Sequence, residues 1–353
     1  MTEESKDAAS GTILITSYLE PDLIERIGSA WAGAVLYDPH LVPKPRYVAD
    51  HGGTKPELST DDEQRWREWL ARAEICFDFD WWQPERMLDN CPRLRWVQAT
   101  SAGIGGFVQR LGLDRTDVVF STAAGTHSVP LGEFALAGAL YLVKGVPDLL
   151  ERQRRHKWER YTTRLLSGRR VTVVGLGEIG RHTAKMFAAV GCTVTGVARP
   201  GGSRPDLVGI ATIDTDGLDS ILPATDVLVL ATPLTPQTSG LVDRARLNAL
   251  PAGAVVVNIA RGPVLDNQAL VEVLQNGLPG GGRLGGAALD VTDPEPLPPE
   301  SPLWDRADVL ISPHSASTVA TENASIVELF LDNLARWRDG RPLRNTYDRG
   351  LGY

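Results

Sequence analysis

The run Gly175-Leu176-Gly177-Glu178-Ile179-Gly180 constrains this chain more than any other feature, because of what flanks it. Val171-Thr172-Val173-Val174 before it is β-branched and reads as a buried strand. Arg181 to Val190 after it carries Ala184, Phe187, Ala188 and Val190 as apolar residues of a helix. A strand, GxGxxG and a helix in succession form a turn that seats a dinucleotide. The first glycine permits the tight turn, the second lets backbone approach a pyrophosphate, and the third lets helix and strand pack closely. The phosphates would then lie at the positive end of the helix. The competing reading is an ordinary glycine-rich turn, since the chain holds 35 glycines, and the flanking pattern weighs against it. About 170 residues precede the motif, which is room for another domain.

The chain of 353 residues is long enough for about two domains with substantial cores. Its formal charge of −8 argues against nucleic acid or an anionic membrane as a partner. No apolar run reaches the ~18 residues of a membrane span. The opening MTEESKDAASGT has neither a signal-peptide core nor an Arg-rich transit pattern. Cys76, Cys91 and Cys192 are scattered and lack metal-ligand spacing, so no metal is expected. Buried reduced thiols suit a cytoplasmic protein.

Thr12 to Tyr18 predicts a first strand and Pro21 to Gly28 a helix. Asp38 to Thr60, rich in Pro, Gly and charge, predicts an extended loop with no role assigned. Asp61 to Ala73 predicts a helix with acids in its first turn, where the helix dipole favours them. Ile75 to Phe79, Arg95 to Thr100 and Val118 to Phe120 predict short strands. Leu131 to Val143 predicts a helix apolar on nearly every side, buried between domains or subunits. From Val171 strands and helices alternate, with later strands at Thr193–Ala198, Val227–Ala231, Ala254–Ile259, Gly286–Leu289 and Val309–Ile311. Such alternation implies a parallel, doubly wound α/β sheet. A last helix, Glu322 to Asp339, is expected to return to the first domain. The expected architecture is two Rossmann-like/flavodoxin-like domains, the nucleotide domain (122–314) inserted in a discontinuous substrate domain (1–121 and 315–353), with a cleft between them.

Downstream of the glycines, three predicted strands end in chemistry-bearing residues, where open α/β sheets bind their ligands. Asn258-Ile259-Ala260-Arg261 ends in a guanidinium able to fork onto a carboxylate. Leu289-Asp290 leads into the proline-rich loop Asp293-Pro294-Glu295-Pro296, and Ile311-Ser312-Pro313-His314 ends in an imidazole. Taken singly, such an Arg is usually a surface ion pair, such a Glu is solvated, and a His is often structural. Their order behind a dinucleotide turn favours one catalytic constellation.

These residues carry a resemblance. SAGIGG (101–106), VVGLGEIGR (173–181), ATPLTPQT (231–238), NIARG (258–262), LDVTDPEPLPPESPLW (289–304) and SPH (312–314) resemble the D-isomer-specific 2-hydroxyacid dehydrogenase family, in the family's order. The portion before Leu94 matches only loosely. The resemblance implies an NAD(P)-dependent enzyme that reduces a small 2-oxo acid, of the glyoxylate/hydroxypyruvate type, to a D-2-hydroxy acid. It implies that Arg261 grips the substrate's carboxylate and carbonyl oxygen. His314 would donate the proton in reduction and accept it in reverse, with Glu295 orienting its ring. Asp290 would hold the nicotinamide carboxamide, while the Ser101-Ala102-Gly103 loop binds the substrate carboxylate through its amides. Thr232, Pro233 and Ala260 fall in matching cofactor-side segments, beside Gly175, Gly177, Glu178, Ile179 and Gly180. A homodimer is implied as well. Other readings are a 3-phosphoglycerate dehydrogenase-like enzyme, and a non-catalytic dinucleotide sensor or corepressor on the same fold.

The strand end where an NAD enzyme normally carries a ribose-binding acid holds Ala198. Arg199 follows, with Ser203 and Arg204 just beyond. An Arg in place of that acid suits a 2′-phosphate, which favours NADP(H) and leaves NAD(H) possible, with Arg199 then stacking on adenine. Asp78 and Asp80, among Phe79, Trp81 and Trp82, are unusual company for a small anionic substrate. They either cap the next helix or face the substrate, where they would oppose a second negative charge or contact a polar substrate tail.

Overall fold

The computed structural model describes residues 11–201, 207–278 and 282–353. The chain divides into two units: residues up to His127 together with Thr318–Tyr353, and Ser128–Ser317. Both boundaries fall a few residues later than 121/122 and 314/315. The following labels leave single-turn helices aside.

In the first unit the chain runs β1 (Ile13–Ile15), α1 (Pro21–Ala30), β2 (Val35–Leu36), α2 (Thr60–Arg72), β3 (Ile75–Phe77), β4 (Trp96–Gln98), α3 (Gly105–Arg110) and β5 (Val119–Ser121). The five strands form a parallel sheet in the order β2-β1-β3-β4-β5. That is the flavodoxin-like order, whose direction of winding reverses between β1 and β3. The start of α2 is set locally, because Ser59 Oγ accepts from the Asp62 amide at 3.2 Å and three acids fill the first turn. The 38–60 stretch holds no helix of more than one turn before α2. It is folded by a Lys44–Thr54 bridge and by the Arg46–Asp50 ion pair at 2.7 Å.

The second unit begins with α4 (Ser128–Val143) and α5 (Val146–Arg154). It continues through β6 (Arg170–Val174), α6 (Glu178–Ala189), β7 (Thr193–Ala198), β8 (Ala211–Asp214) and β9 (Val227–Leu230). Then come α7 (Arg244–Ala249), β10 (Val255–Asn258), α8 (Asn267–Asn276), β11 (Gly286–Leu289) and β12 (Val309–Ile311). Seven parallel strands lie in the order β12-β11-β10-β9-β6-β7-β8. This is the doubly wound order of dinucleotide domains, reversing between β6 and β9. Helix α4, apolar on nearly every side, is covered largely inside this unit, where Leu131, Ala135, Ala139, Leu142 and Val143 join the core formed with Val171, Phe187 and Val257. Among the described residues no single helix is long and apolar enough to cross a membrane.

The chain returns to the first unit with α9 (Glu322–Arg338). Phe330 packs edge-on against Phe77 and beside Trp96, both at 5.2 Å between ring centres. Asn333, fully buried, donates to Gln98 Oε1 at 3.0 Å and accepts from the Arg344 amide at 2.8 Å. The hydroxyl of Ser121 also donates to Gln98 Oε1, so this polar group inside the core has its partners.

Candidate active site

The glycine turn is built as the residue types require. Gly175 has φ +99°, and a Cβ there would stand 2.6 Å from the Ala231 carbonyl oxygen. A Cβ on Gly180 would fall 1.8 Å from the Gly175 carbonyl oxygen, so this glycine lets α6 close onto β6. Gly177 caps α6 and faces open space, with nothing within 4 Å of a notional Cβ. The turn also touches the end of β9, because that Cβ on Gly175 would lie 2.8 Å from Thr232 Cα. The Pro233 carbonyl accepts from Thr238 Oγ1 at 2.6 Å, which shapes the loop. Glu178 pairs with Arg181 on the helix surface, and Ile179 packs on the core of the unit. An open, helix-capping backbone at the point where the sheet reverses fits a pyrophosphate.

Ala198 ends β7 with Arg199 exposed beside it, whereas Ser203 and Arg204 lie outside the described residues. Strand β8 adds something the sequence reading did not contain. It pairs with β7 so that Asp214 stands opposite Ala198, bringing a carboxylate to the neighbouring strand end.

On the other side of β9, the loops after three adjacent strands carry Arg261, Glu295 and His314. Arg261 leaves β10 in extended backbone. Asn258, fully buried, fixes that turn by accepting from the Ala260 amide at 3.0 Å and donating to the Arg261 carbonyl at 3.3 Å. The Arg261 guanidinium reaches the Ala260 carbonyl at 2.7 Å. Burial pushes its pKa down, and the carboxylates of Glu295 and Asp290 pull it back up. Gly262 is pressed against the next loop, since a Cβ there would fall 1.8 Å from the Thr292 carbonyl oxygen. Only a glycine lets the two loops approach this closely.

His314 Nδ1 lies 2.6 Å from Glu295 Oε1, and both side chains are about two-fifths exposed. With Nδ1–H donating to the carboxylate, Nε2 is the nitrogen left to exchange a proton. His314 itself has φ +54°, a left-handed conformation that a histidine adopts at a cost. The neighbouring Asp290 holds it there. Its carbonyl accepts from the His314 amide at 2.9 Å, and its Oδ1 accepts from Ser312 Oγ at 2.7 Å and from the Ala316 amide at 2.9 Å. Asp290, 2 % exposed, is thus the scaffold of the His314 loop, a role the sequence did not disclose.

In the first unit, Ser101, Ala102 and Gly103 follow β4 in an open loop. The Gly103 amide donates to Ser101 Oγ at 3.2 Å. Asp78 and Asp80 separate. Asp80 caps the following turn, accepting from the Trp82 and Gln83 amides and from Trp66 Nε1. Asp78 does not cap that turn; its Oδ2 accepts from Thr100 Oγ1 at 2.8 Å. Phe79, Trp81 and Trp82 pack on the core. The three cysteines are buried and free. Among the described residues no group of three or more His, Cys, Asp or Glu is placed to hold a metal.

A fold of two parallel sheets, a dinucleotide turn and an Arg–Glu–His set at successive strand ends together define an NAD(P)-dependent oxidoreductase. Comparison agrees. The family model for the D-isomer specific 2-hydroxyacid dehydrogenase NAD binding domain matches residues 136–316. An uncharacterized protein from Corynebacterium melassecola is 31% identical over 90% of this chain and 99% of its own. Glyoxylate/hydroxypyruvate reductase A of Salmonella newport is 29% identical, over 82% of this chain and 92% of its own. Among solved structures, a D-isomer specific 2-hydroxyacid dehydrogenase from Xanthobacter autotrophicus in complex with NADPH superposes with a TM-score of 0.77 at 28% identity, covering 98% of this chain and 100% of that one. The chain belongs to the D-isomer-specific 2-hydroxyacid dehydrogenase family.

Proposed function

We propose that this enzyme reduces a small 2-oxo acid of the glyoxylate/hydroxypyruvate class to the D-2-hydroxy acid, with NADPH as the preferred reductant. The observation that carries the reading is the 2.6 Å His314–Glu295 pair on a loop tied to Asp290, one strand away from Arg261. The reduced nicotinamide supplies the hydride. His314 Nε2 delivers a proton to the carbonyl oxygen as that oxygen gains charge, and Glu295 keeps the ring in place. Arg261 stabilises the developing alkoxide and grips the carboxylate. Ala102 and Gly103 offer backbone amides suited to a substrate carboxylate. Gly177 and the start of α6 take the pyrophosphate, with Thr232, Pro233 and Ala260 alongside. The free side of the Asp290 carboxylate takes the carboxamide. The reading extends to a cytoplasmic homodimer.

NADPH is favoured by Arg199 in place of a ribose-binding acid and by the Xanthobacter structure, which holds NADPH. Asp214 beside Ala198 favours a second reading, in which NADH is also accepted. The test is steady-state reduction of glyoxylate, hydroxypyruvate and pyruvate with each cofactor, repeated for His314→Asn. Wild type turns over at least one of them, and the variant loses about 10²–10⁴-fold in kcat while still binding NADPH. Near-normal turnover by the variant removes His314 from the mechanism. Tight cofactor binding without turnover of any 2-oxo acid identifies a sensor instead.

A further inference from the structure

A second polar cluster lies wholly inside the first unit, at the carboxyl ends of its strands, where the winding reverses between β1 and β3. Asp78 follows β3, Thr100 follows β4, and Thr16 and Ser17 follow β1. The turn at Asp78 is fixed. Its φ is +72°, its amide donates to the Gln98 carbonyl at 2.8 Å, and Thr16 Oγ1 reaches the carbonyls on both sides of it, Phe77 at 2.9 Å and Phe79 at 2.8 Å. From the 38–60 loop, His51 approaches the same place. Burial pushes the Asp78 pKa up and His51 opposes that rise, while His51 Nε2 lies 3.6 Å from Glu322 Oε1, beyond hydrogen-bond reach. Glu322, the first residue of α9, accepts from His127 Nε2 at 3.0 Å.

This cluster is unfinished as a structural network. Both ring nitrogens of His51, Glu322 Oε2 and Ser17 Oγ are buried without a hydrogen-bond partner, and the Glu322 side chain is 93 % buried by its 7 % exposure. Buried polar atoms are ordinarily paired, so the orphans on His51 and on Glu322 beside it mark a place where another molecule completes the set. Two carboxylates, Asp78 and Glu322, stand there, and an added anion would meet both. An imidazole can hydrogen-bond a hydroxyl. Thr100, bonded to Asp78, immediately precedes the Ser101–Gly103 loop assigned above to the substrate's carboxylate.

Resting on that functional reading, we propose that His51 and Asp78, backed by Glu322 and His127, form the subsite for the substrate's distal substituent. The subsite accepts a hydroxyl and rejects a second carboxylate. The favoured substrate is thus a 3-hydroxy-2-oxo acid rather than its unsubstituted, methyl or dicarboxylic counterparts.

The experiment compares kcat/KM for glyoxylate, hydroxypyruvate, pyruvate and oxaloacetate in wild type, His51→Ala and Asp78→Asn. Wild type prefers hydroxypyruvate to pyruvate by about tenfold or more, the worth of one good hydrogen bond. His51→Ala lowers the hydroxypyruvate-to-pyruvate ratio about tenfold. Asp78→Asn, nearly isosteric, raises oxaloacetate relative to hydroxypyruvate by about tenfold. Ratios within twofold of wild type in both variants, or a wild type indifferent to the hydroxyl, overturn the subsite while leaving the reductase reading intact. A wild type that reduces none of the four overturns the reading itself, and the subsite with it.

Discussion

Replacing Gly262 with Ala tests whether the Arg261 and Glu295 loops work as one rigid unit. The notional methyl stands 1.8 Å from the Thr292 carbonyl oxygen, 2.3 Å from its carbon and 2.9 Å from the Asp293 amide nitrogen. All three obstacles are backbone, so no side chain can swing aside. Restoring ordinary contact requires the loops to part by roughly 1.5 Å, at a cost of about 1–3 kcal/mol for overpacking. The displacement falls between Arg261, next to the substitution, and Glu295, which lies beyond Thr292 and holds His314 at 2.6 Å. A misplacement of about 1 Å at a reacting group costs on the order of 10²-fold in rate. Gly262→Ala should therefore lower kcat about 100-fold and reduce Tm by several degrees. The glycine turn at Gly175–Gly180 is untouched, so NADPH affinity, followed by quenching of protein fluorescence, should stay within about threefold. A variant with kcat within twofold of wild type would show that the loops adjust independently and that the close approach has no catalytic consequence. An equal loss of NADPH binding would show that the unit as a whole had been disturbed.

Two other expectations address the remaining charges. His127 and His51 hold the Glu322 carboxyl down to about 2 against the opposing effect of burial. A carboxylate with a depressed folded-state pKa stabilises fully above its unfolded value near 4.5, and the effect disappears as pH falls towards 2. Glu322→Gln should cost about 3 kcal/mol in urea unfolding at pH 7 and progressively less below pH 4.5. A deficit that stays constant from pH 7 to pH 3 would remove the charge from the explanation. Arg199→Ala should lower the NADPH-to-NADH ratio of kcat/KM by about tenfold, as expected for a lost charge-assisted bond. An unchanged ratio would leave Arg199 without a part in cofactor choice.

The core strands of the second unit were legible because their burial is complete. β9, β10 and β11 are buried at every residue, and the Val-rich runs of β9 and β10 say so directly. Strands β2 and β8 were not. β2 is two half-buried residues, and β8 reads Ala-Thr-Ile-Asp with one exposed and three half-buried positions. Helix α8 was overlooked although its signal was present. Asp266 caps it by accepting from the Ala269 amide at 2.9 Å, and Ala269, Leu270, Val273 and Leu274 form its buried stripe. The order Arg261, Glu295, His314 was legible because each lies in a loop leaving the carboxyl end of a strand of one parallel sheet, a relation that needs no contact to be known in advance.

What the sequence could not disclose is any role decided by a distant partner. Asp78 and Asp80 sit two residues apart in the same aromatic stretch and were open to the same two readings. Their fates diverge because β3 ends at Phe77. The left-handed residue that follows turns Asp78 toward Thr100, 22 positions away, while Asp80 accepts from amides two and three residues ahead of it. Asp290 shows the same thing inside the site. Its position after β11 was readable, but its work as scaffold depends on the chain folding back 22 to 26 residues later to offer Ser312 Oγ and the Ala316 amide. The left-handed His314 lies between those two donors. The His314 imidazole is thus aimed by a buried carboxylate on the neighbouring strand end, and neither residue alone would predict that dependence.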